Sequence, residues 1–334
     1  MRIAIVKVSA LGDIVHAMIV LQFIKKYNRE ILIDWIVEDS YKDLLAFHPD
    51  INKIHIVNLR KAKKKKSLLL LIAELVKLSK LEKYDIVIDM QGLLKSAIIA
   101  SVIPSNKTIG FDKDSIRERF ASLFYSEKFQ YSYTKNIIER HLKLIEFALG
   151  FSINKKQIQQ KLPFLFSSKS QLDFELSLVK KNILLIPGAS YNTKCYPVSK
   201  FAELANLIEA NFLILWGNQK EKLLANQIKE LSPNMSICHK LSIDSLILLI
   251  SKVDLVIGSD TGPTHMAVAL NIPSITLFGP THGYRNTLKT KLNKVIESDS
   301  IVNPNKINKA DDSIKNIRIE EIANEAQILI ESRN

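Results

Sequence analysis

The sequence predicts an α/β protein built of two doubly wound parallel-sheet domains, and three observations carry that expectation. The chain has 334 residues, more than one hydrophobic core usually serves, so two domains are expected. Short continuous apolar runs alternate with helical stretches, as buried parallel strands covered by helices do. That rhythm stops near residue 150 and starts again near residue 182.

In the first half the runs are IAIVKV (3–8), LIDWIV (32–37), KIHIV (53–57) and YDIVIDM (84–90). The segment 150–181 is polar, carries Pro163 and loses the pattern, which marks it as a linker region. Beyond it come NILLIP (182–187), FLILW (212–216), MSICH (235–239), VDLVIG (253–258) and PSITLF (273–278), with helices expected at 198–210, 219–230 and 242–251. Apolar residues recur at helical spacing over 318–331. The expected organisation is a first domain over 1–165, a second over 166–317, and a C-terminal helix over 318–334 that is free to pack back on the first domain.

Composition narrows the class. With 47% hydrophobic and 24% charged residues the chain is an ordinary globular protein. Cys195 and Cys238 stand in unrelated contexts and offer neither a disulfide framework nor a paired metal motif. The opening run is too short and too charged for a signal peptide, and no apolar run reaches the roughly 18 residues that a spanning helix needs. A cytoplasmic protein is expected. A formal charge of +13 points to an anionic partner without choosing between nucleic acid, an acidic membrane surface and a phosphorylated small molecule.

The segment VDLVIGSDTGPTHMAVAL (253–270) reads as a strand, a small-residue turn and a helix. Pro263 suits the first helical turn, Gly262 allows close approach of the backbone, and the helix N-terminus favours an anion, so the turn suits a diphosphate. Thr261 adds a hydroxyl. Ser259 or Asp260 as a simple helix cap explains less, because it leaves His265 without a role. The turn IPGASYNTKCYP (186–197) also joins a strand to a helix and brings Ser190, Thr193 and Lys194 to the same side of the second sheet. Lys194 is either a cation for a leaving diphosphate or solvated surface. After the next strand, Glu221 is placed to accept hydrogen bonds from ribose hydroxyls.

In KVSALGDIVHAM (7–18), Asp13 begins a helix after a small-residue turn. It fits two roles, helix cap and general base. The stretch LRKAKKKKSLLLLIAELVKLSK (59–80) sets Arg60, Lys61 and Lys63 to Lys66 ahead of an amphipathic helix. A solvated loop, a nucleic-acid patch and a phosphate or membrane-surface site compete there. No aromatic platform interleaves the lysines, which argues against nucleic acid.

With these residues in place, the chain resembles the lipopolysaccharide heptosyltransferases of glycosyltransferase family 9, and more closely those that add the first heptose than those that add the second. The similarity runs nearly end to end, over KVSALGDIVHAM, WIVEDSYKDLLAFHPDINKIHIV (35–57), YDIVIDMQGLLKSA (84–97), RERFASLFY (117–125), NTKCYP and SDTGPTHMAVALNIPSITLFGPT (259–281). The resemblance implies a GT-B fold, two Rossmann-like domains facing across a cleft. It also implies an inverting, metal-independent and cofactor-free transfer from ADP-L-glycero-β-D-manno-heptose to the Kdo of Kdo-lipid A, by a cytoplasmic protein in peripheral contact with the anionic surface of a Gram-negative inner membrane, with no nucleic-acid partner.

By position, the resemblance makes Asp13 the base and places Ser190, Thr193, Lys194, Glu221, Leu241, Asp260, Thr261, Gly262 and His265 on the donor. Lys194 also assists departure of ADP. Acceptor contacts fall on Ser9, Gly12, Arg60, Lys61, Lys63, Lys64, Arg117 and Arg140. Three positions depart from the family pattern. Ala10 replaces a hydroxyl residue, Tyr196 a tryptophan, and Leu241 a methionine near the adenine. The alternatives to this reading are a heptosyltransferase of the second kind, another GT-B transferase or epimerase, and a basic anion-binding module without enzymatic activity.

Overall fold

The structure, a computed structural model, describes residues 1–304 and 306–332. The chain forms two compact units, Met1–Phe164 and Leu165 onward, each built on a six-stranded sheet whose pairings are all parallel.

In the first unit the chain order is β1 (Arg2–Val6), α1 (Leu11–Met18), α2 (Val20–Tyr27), β2 (Leu32–Glu38), β3 (Lys53–Val57), α3 (Leu59–Lys64), α4 (Leu68–Ser79), β4 (Tyr84–Asp89), α5 (Leu94–Val102), β5 (Ser105–Phe111), β6 (Glu127–Phe129), α6 (Ile137–Leu149) and α7 (Lys155–Gln159). The strands lie in the order β3-β2-β1-β4-β5-β6. The chain therefore winds one way from β1 to β3, crosses over, and winds the other way from β4. Right-handed crossovers then put the two sets of helices on opposite faces. Helix α6 packs on α1 and α2, while α4 and α5 cover the other face, where Val6, Ile36, Val87, Leu78, Ile99 and Ala100 form one core cluster.

The second unit repeats the plan with β7 (Asn182–Ile186), α8 (Val198–Leu207), β8 (Asn211–Ile214), α9 (Gln219–Leu231), β9 (Ser236–Ile237), α10 (Ile243–Lys252), β10 (Leu255–Ser259), α11 (Gly262–Ala269), β11 (Ser274–Phe278), α12 (Gly283–Asn286), β12 (Asn293–Glu297) and α13 (Ile319–Glu331). Its strand order is β12-β11-β10-β7-β8-β9. The direction of winding reverses between β7 and β10, as it does between β1 and β4 in the first sheet. Those two positions are where ligands bind in sheets of this kind.

The C-terminal helix and the segment between the two sheets are both fixed by contacts. The C-terminal helix α13 packs on α8, β10 and β11, burying Ile319, Ile322, Ala326 and Leu329 in the core of the second unit. Its apolar stripe is occupied by the sheet it follows. The segment 150–181 is anchored near its middle: Leu162 N donates to Oε1 of Gln22 at 3.0 Å, and Ser168 Oγ donates to Oδ2 of Asp244 at 2.7 Å.

One buried charge ties the first sheet together. Asp34, in the middle of β2, accepts hydrogen bonds from Arg2 (2.7 Å), Asn52 (2.7 Å) and the Tyr84 hydroxyl (2.6 Å), with His55 Nε2 at 3.2 Å. Burial alone would raise its pKa, but the bonds from His55, Tyr84, Asn52 and Arg2 outweigh burial and hold it well below the ordinary carboxylate range. The carboxylate thus links the start of β1 to β2, β3 and β4.

Candidate functional site

In the second unit the site grows from the exits of adjacent strands. Strand β10 runs fully buried to Ser259, and the chain then turns through Asp260 and Thr261 into α11, with Pro263 in its first turn. Thr264 fixes that turn by donating its hydroxyl to Ser259 O at 2.9 Å, with the Thr261 hydroxyl 3.2 Å away. The first backbone N–H groups of α11 have no partners within the helix, so they supply the positive end that an anion seeks.

Strand β7 exits beside β10 and leads through Gly188 and Ser190 to a single 3-10 turn over Asn192–Lys194. That turn carries Lys194 back over the sheet edge, where Nζ donates to Oδ2 of Asp260 at 2.6 Å. Asp260 has two more partners: His265 Nε2 lies 3.0 Å from Oδ1, and the Thr281 hydroxyl donates to Oδ2 at 3.0 Å. Lys194 and His265 are 8% and 4% exposed. Burial pushes the Asp260 carboxyl up, yet the charge of Lys194 and the bonds from His265 and Lys194 reverse that and hold it far below the carboxylate range. Asp260 is therefore ionised and occupied on both oxygens. Its role is that of a hub that fixes Lys194, His265 and Thr281 at the head of α11.

The remaining positions expected to meet the donor follow the sheet edge. Glu221, in the first turn of α9 beyond β8, accepts from Gly217 N at 2.7 Å and from Asn218 Nδ2 at 2.6 Å. Its side chain lies over Gly188, where a Cβ would collide with Cγ and Cδ of Glu221, so a larger residue there would have to displace that carboxylate. Thr193 is half-buried and Ser190 exposed. Leu241 is half-buried beyond β9. From β10 across β7 and β8 to β9, the order is thus lysine and helix terminus, carboxylate, apolar side chain. Tyr196, buried, donates to Ile317 O at 3.0 Å and packs edge-on against Phe201, pinning the lysine turn to the connection before α13.

In the first unit the equivalent reversal lies between β1 and β4. Gln91, just past β4, accepts on Oε1 from Val8 N (2.9 Å) and Ser9 N (3.2 Å), while its Nε2 and the Lys95 ammonium each lie 3.4 Å from Ser9 Oγ. Beneath it Asp89 is fully buried and accepts from Gln91 N, Gly92 N, Ser96 Oγ and the Tyr125 hydroxyl. This network holds the turn that ends at Asp13. Asp13 is exposed, and its Oδ2 accepts from Ala10 N at 3.1 Å, so it does cap α1 while presenting a carboxylate to solvent beside Gly12. Arg60 is exposed, lies over the Tyr41 ring and hydrogen-bonds its hydroxyl, and its backbone N–H donates to Glu38 at 3.1 Å. Lys61, Lys63, Lys64 and Arg117 are exposed.

Arg140 does not fit the acceptor role expected of it. It is 3% exposed, donates to the carbonyls of Tyr131 (2.6 Å), Ser132 (2.6 Å) and Ser115 (2.7 Å), and lies over the Phe111 ring. Its fork is committed to backbone oxygens, and it clamps the segment that carries Arg117. Gln91, Lys95 and Thr281 are absent from the sequence-based set although they lie in segments that carry the resemblance. The signal for each was its place two to six residues past a strand end.

A folded-state pKa below the ordinary carboxylate value makes stability depend on pH in one direction. The contribution of ionised Asp260 is fully present above its ordinary value of 3.8 and is lost as pH falls below it. Melting temperatures of wild type and Asp260→Asn should therefore converge as pH falls below about 4, with the wild type more stable at neutral pH. A constant gap down to pH 2 would show that the charge is not what stabilises the hub.

The fold and the site together define a nucleotide-sugar glycosyltransferase architecture. The model for glycosyltransferase family 9 (heptosyltransferase) matches residues 72–316, and the chain belongs to that family. It is 39% identical to lipopolysaccharide heptosyltransferase 1 of Campylobacter coli, over 96% of this chain and 97% of the relative. It is 27% identical to the protein of that name from Escherichia coli K12, over 84% of this chain and 88% of the relative. The structure of E. coli heptosyltransferase WaaC with ADP has the same fold, with a TM-score of 0.80 at 23% identity, covering 98% of this chain and all of that one. A family 9 glycosyltransferase from Veillonella parvula superposes with a TM-score of 0.82 at 17% identity, covering 99% and 97%.

Proposed function

We propose that the protein transfers L-glycero-D-manno-heptose from ADP-heptose to the Kdo of Kdo-lipid A, with inversion at the anomeric carbon and without a metal. The observation that carries the reading is the Lys194–Asp260–His265 cluster at the N-terminus of α11, in a chain 39% identical to a heptosyltransferase 1 over nearly its whole length. The relative from Campylobacter jejuni named lipooligosaccharide heptosyltransferase 2 is 27% identical, which favours the first heptose over the second.

In this reading the ADP diphosphate takes the N–H groups of α11 and the Lys194 ammonium, with the Thr261 and Thr193 hydroxyls as further donors. Glu221 faces the ribose and Leu241 the adenine. Asp13 accepts the proton of a Kdo hydroxyl as that oxygen bonds to the anomeric carbon. The bond from that carbon to the phosphate oxygen breaks, and its electron pair leaves with ADP. Lys194 and the helix terminus stabilise the growing negative charge, so no general acid or metal ion is required. Ser9, Gln91 and Lys95 lie next to the base and suit an anionic sugar acid, and Arg117 and the lysines of α3 supply further positive charge. The acceptor places the reaction at the cytoplasmic face of the inner membrane.

The test is ADP release from ADP-heptose by the purified chain, with and without Kdo-lipid A and with and without EDTA. Release that requires the acceptor and withstands chelation is the expected result. Release that needs no acceptor contradicts transfer, and loss on chelation contradicts the metal-independent step.

A further inference from the structure

The cation of the Lys194 turn is already paired. Its ammonium meets Asp260 at 2.6 Å, so the two charges cancel, and the partial charge at the N-terminus of α11 is what remains for an incoming anion. A diphosphate carries more than one negative charge and gains another as it departs from a sugar. A site that handles it without a metal calls for a second cation.

One stands at the other end of the same turn. Tyr191, 41% exposed, opens the turn, and its carbonyl accepts from Lys194 N at 3.0 Å. The Lys309 ammonium lies over the Tyr191 ring, 5.2 Å from its centroid. Lys309 belongs to the connection between β12 and α13, which is fastened to this turn. The Tyr196 hydroxyl and the Lys200 ammonium donate to Ile317 O at 3.0 and 2.9 Å, and the 3-10 turns Asn192–Lys194 and Ser313–Asn316 pack together.

Lys309 is exposed, and the acids that follow it in the chain are engaged elsewhere. Asp311 accepts from Ser300 Oγ and from Ser313 N, and Asp312 pairs with Lys315 at 2.8 Å. Lys200, on the same connection, is committed to the carbonyls of Lys315 and Ile317. An exposed cation–π contact is weak, so it keeps the Lys309 ammonium beside the Lys194 turn and yields it to a stronger anionic partner. Plain surface packing accounts for the contact but not for its place on the turn that carries Lys194.

We propose that Lys309 is a second cation for the diphosphate of the bound nucleotide, held on Tyr191 until that ligand arrives. The inference rests on the reading above that a nucleotide diphosphate meets Lys194 and α11. The test is calorimetric titration of the full chain with ADP and with AMP, for wild type, Lys309→Ala, Lys309→Arg and Tyr191→Phe.

Lys309→Ala should bind ADP about tenfold more weakly, the usual size of a charge-assisted contact. AMP binding should fall less, so the preference for ADP over AMP shrinks. Lys309→Arg keeps the charge and Tyr191→Phe keeps the ring, and both should bind ADP as wild type does. Rising salt should narrow the gap between wild type and Lys309→Ala. Wild-type ADP affinity in Lys309→Ala overturns the proposal, and so does an equal loss for ADP and AMP, which is the mark of a distorted turn. A wild type that binds no ADP overturns it together with the reading on which it rests. The expected losses in a chain that transfers no heptose keep Lys309 as a diphosphate cation and remove only the reaction.

Discussion

Asp13→Asn should abolish most of the turnover, by a factor on the order of 10³, while ADP binds as tightly as to wild type. The choice of asparagine separates two roles that share one side chain. Asp13 Oδ2 already accepts from Ala10 N at 3.1 Å, and an asparagine oxygen keeps that bond, so the start of α1 and its stability are retained. What asparagine lacks is an oxygen able to take a proton from the acceptor hydroxyl. Asp13→Ala removes both functions and should add a stability loss of about 1 kcal/mol, the usual cost of a lost cap. If Asp13→Asn keeps most of its turnover, Asp13 is a cap and the base lies elsewhere.

Lys194→Ala should lower kcat/KM for the donor by a factor on the order of 10² to 10³, because in the proposed reaction it removes the charge that meets the leaving diphosphate. A stability loss of about 3 kcal/mol should accompany it, since Asp260 loses its lysine partner and keeps only His265 and Thr281. Stability alone does not distinguish a catalytic lysine from a structural ion pair, so ADP affinity is the deciding readout. A catalytic and binding role weakens ADP binding in Lys194→Ala. A purely structural role leaves the affinity of the folded variant unchanged. Because Lys194 and Asp260 contact each other, the double variant Lys194→Ala/Asp260→Ala should lose less than the sum of the two single losses.

Both sheets were legible from the order of apolar runs, because a parallel strand buried on both faces needs an unbroken apolar stretch. The strands that the pattern left out are edge or outer strands. Strand β5, SNKTIGF, is buried only over its last three residues, β6 has three residues, and β12, NKVIE, is half polar. Their registers come from pairing with a neighbour, and a lone sequence carries little of that. The turn from β10 into α11 was legible because glycine, proline and hydroxyl residues between a strand and a helix have few other uses. The finer roles were not. That Asp260 Oδ2 is held twice depends on Lys194 and Thr281, which are 66 and 21 residues away in the chain. Arg140 shows the converse error: an arginine reads as an anion contact until its burial and its three backbone carbonyls are seen.

The measurement that bears most directly on the proposed activity is the mass of the lipid product. After incubation with ADP-heptose, Kdo-lipid A should gain the mass of one heptosyl residue in proportion to the ADP formed, and the Asp13→Asn enzyme should give neither. ADP formed with no gain in acceptor mass, or a gain seen only when the acceptor already bears a heptose, would contradict it.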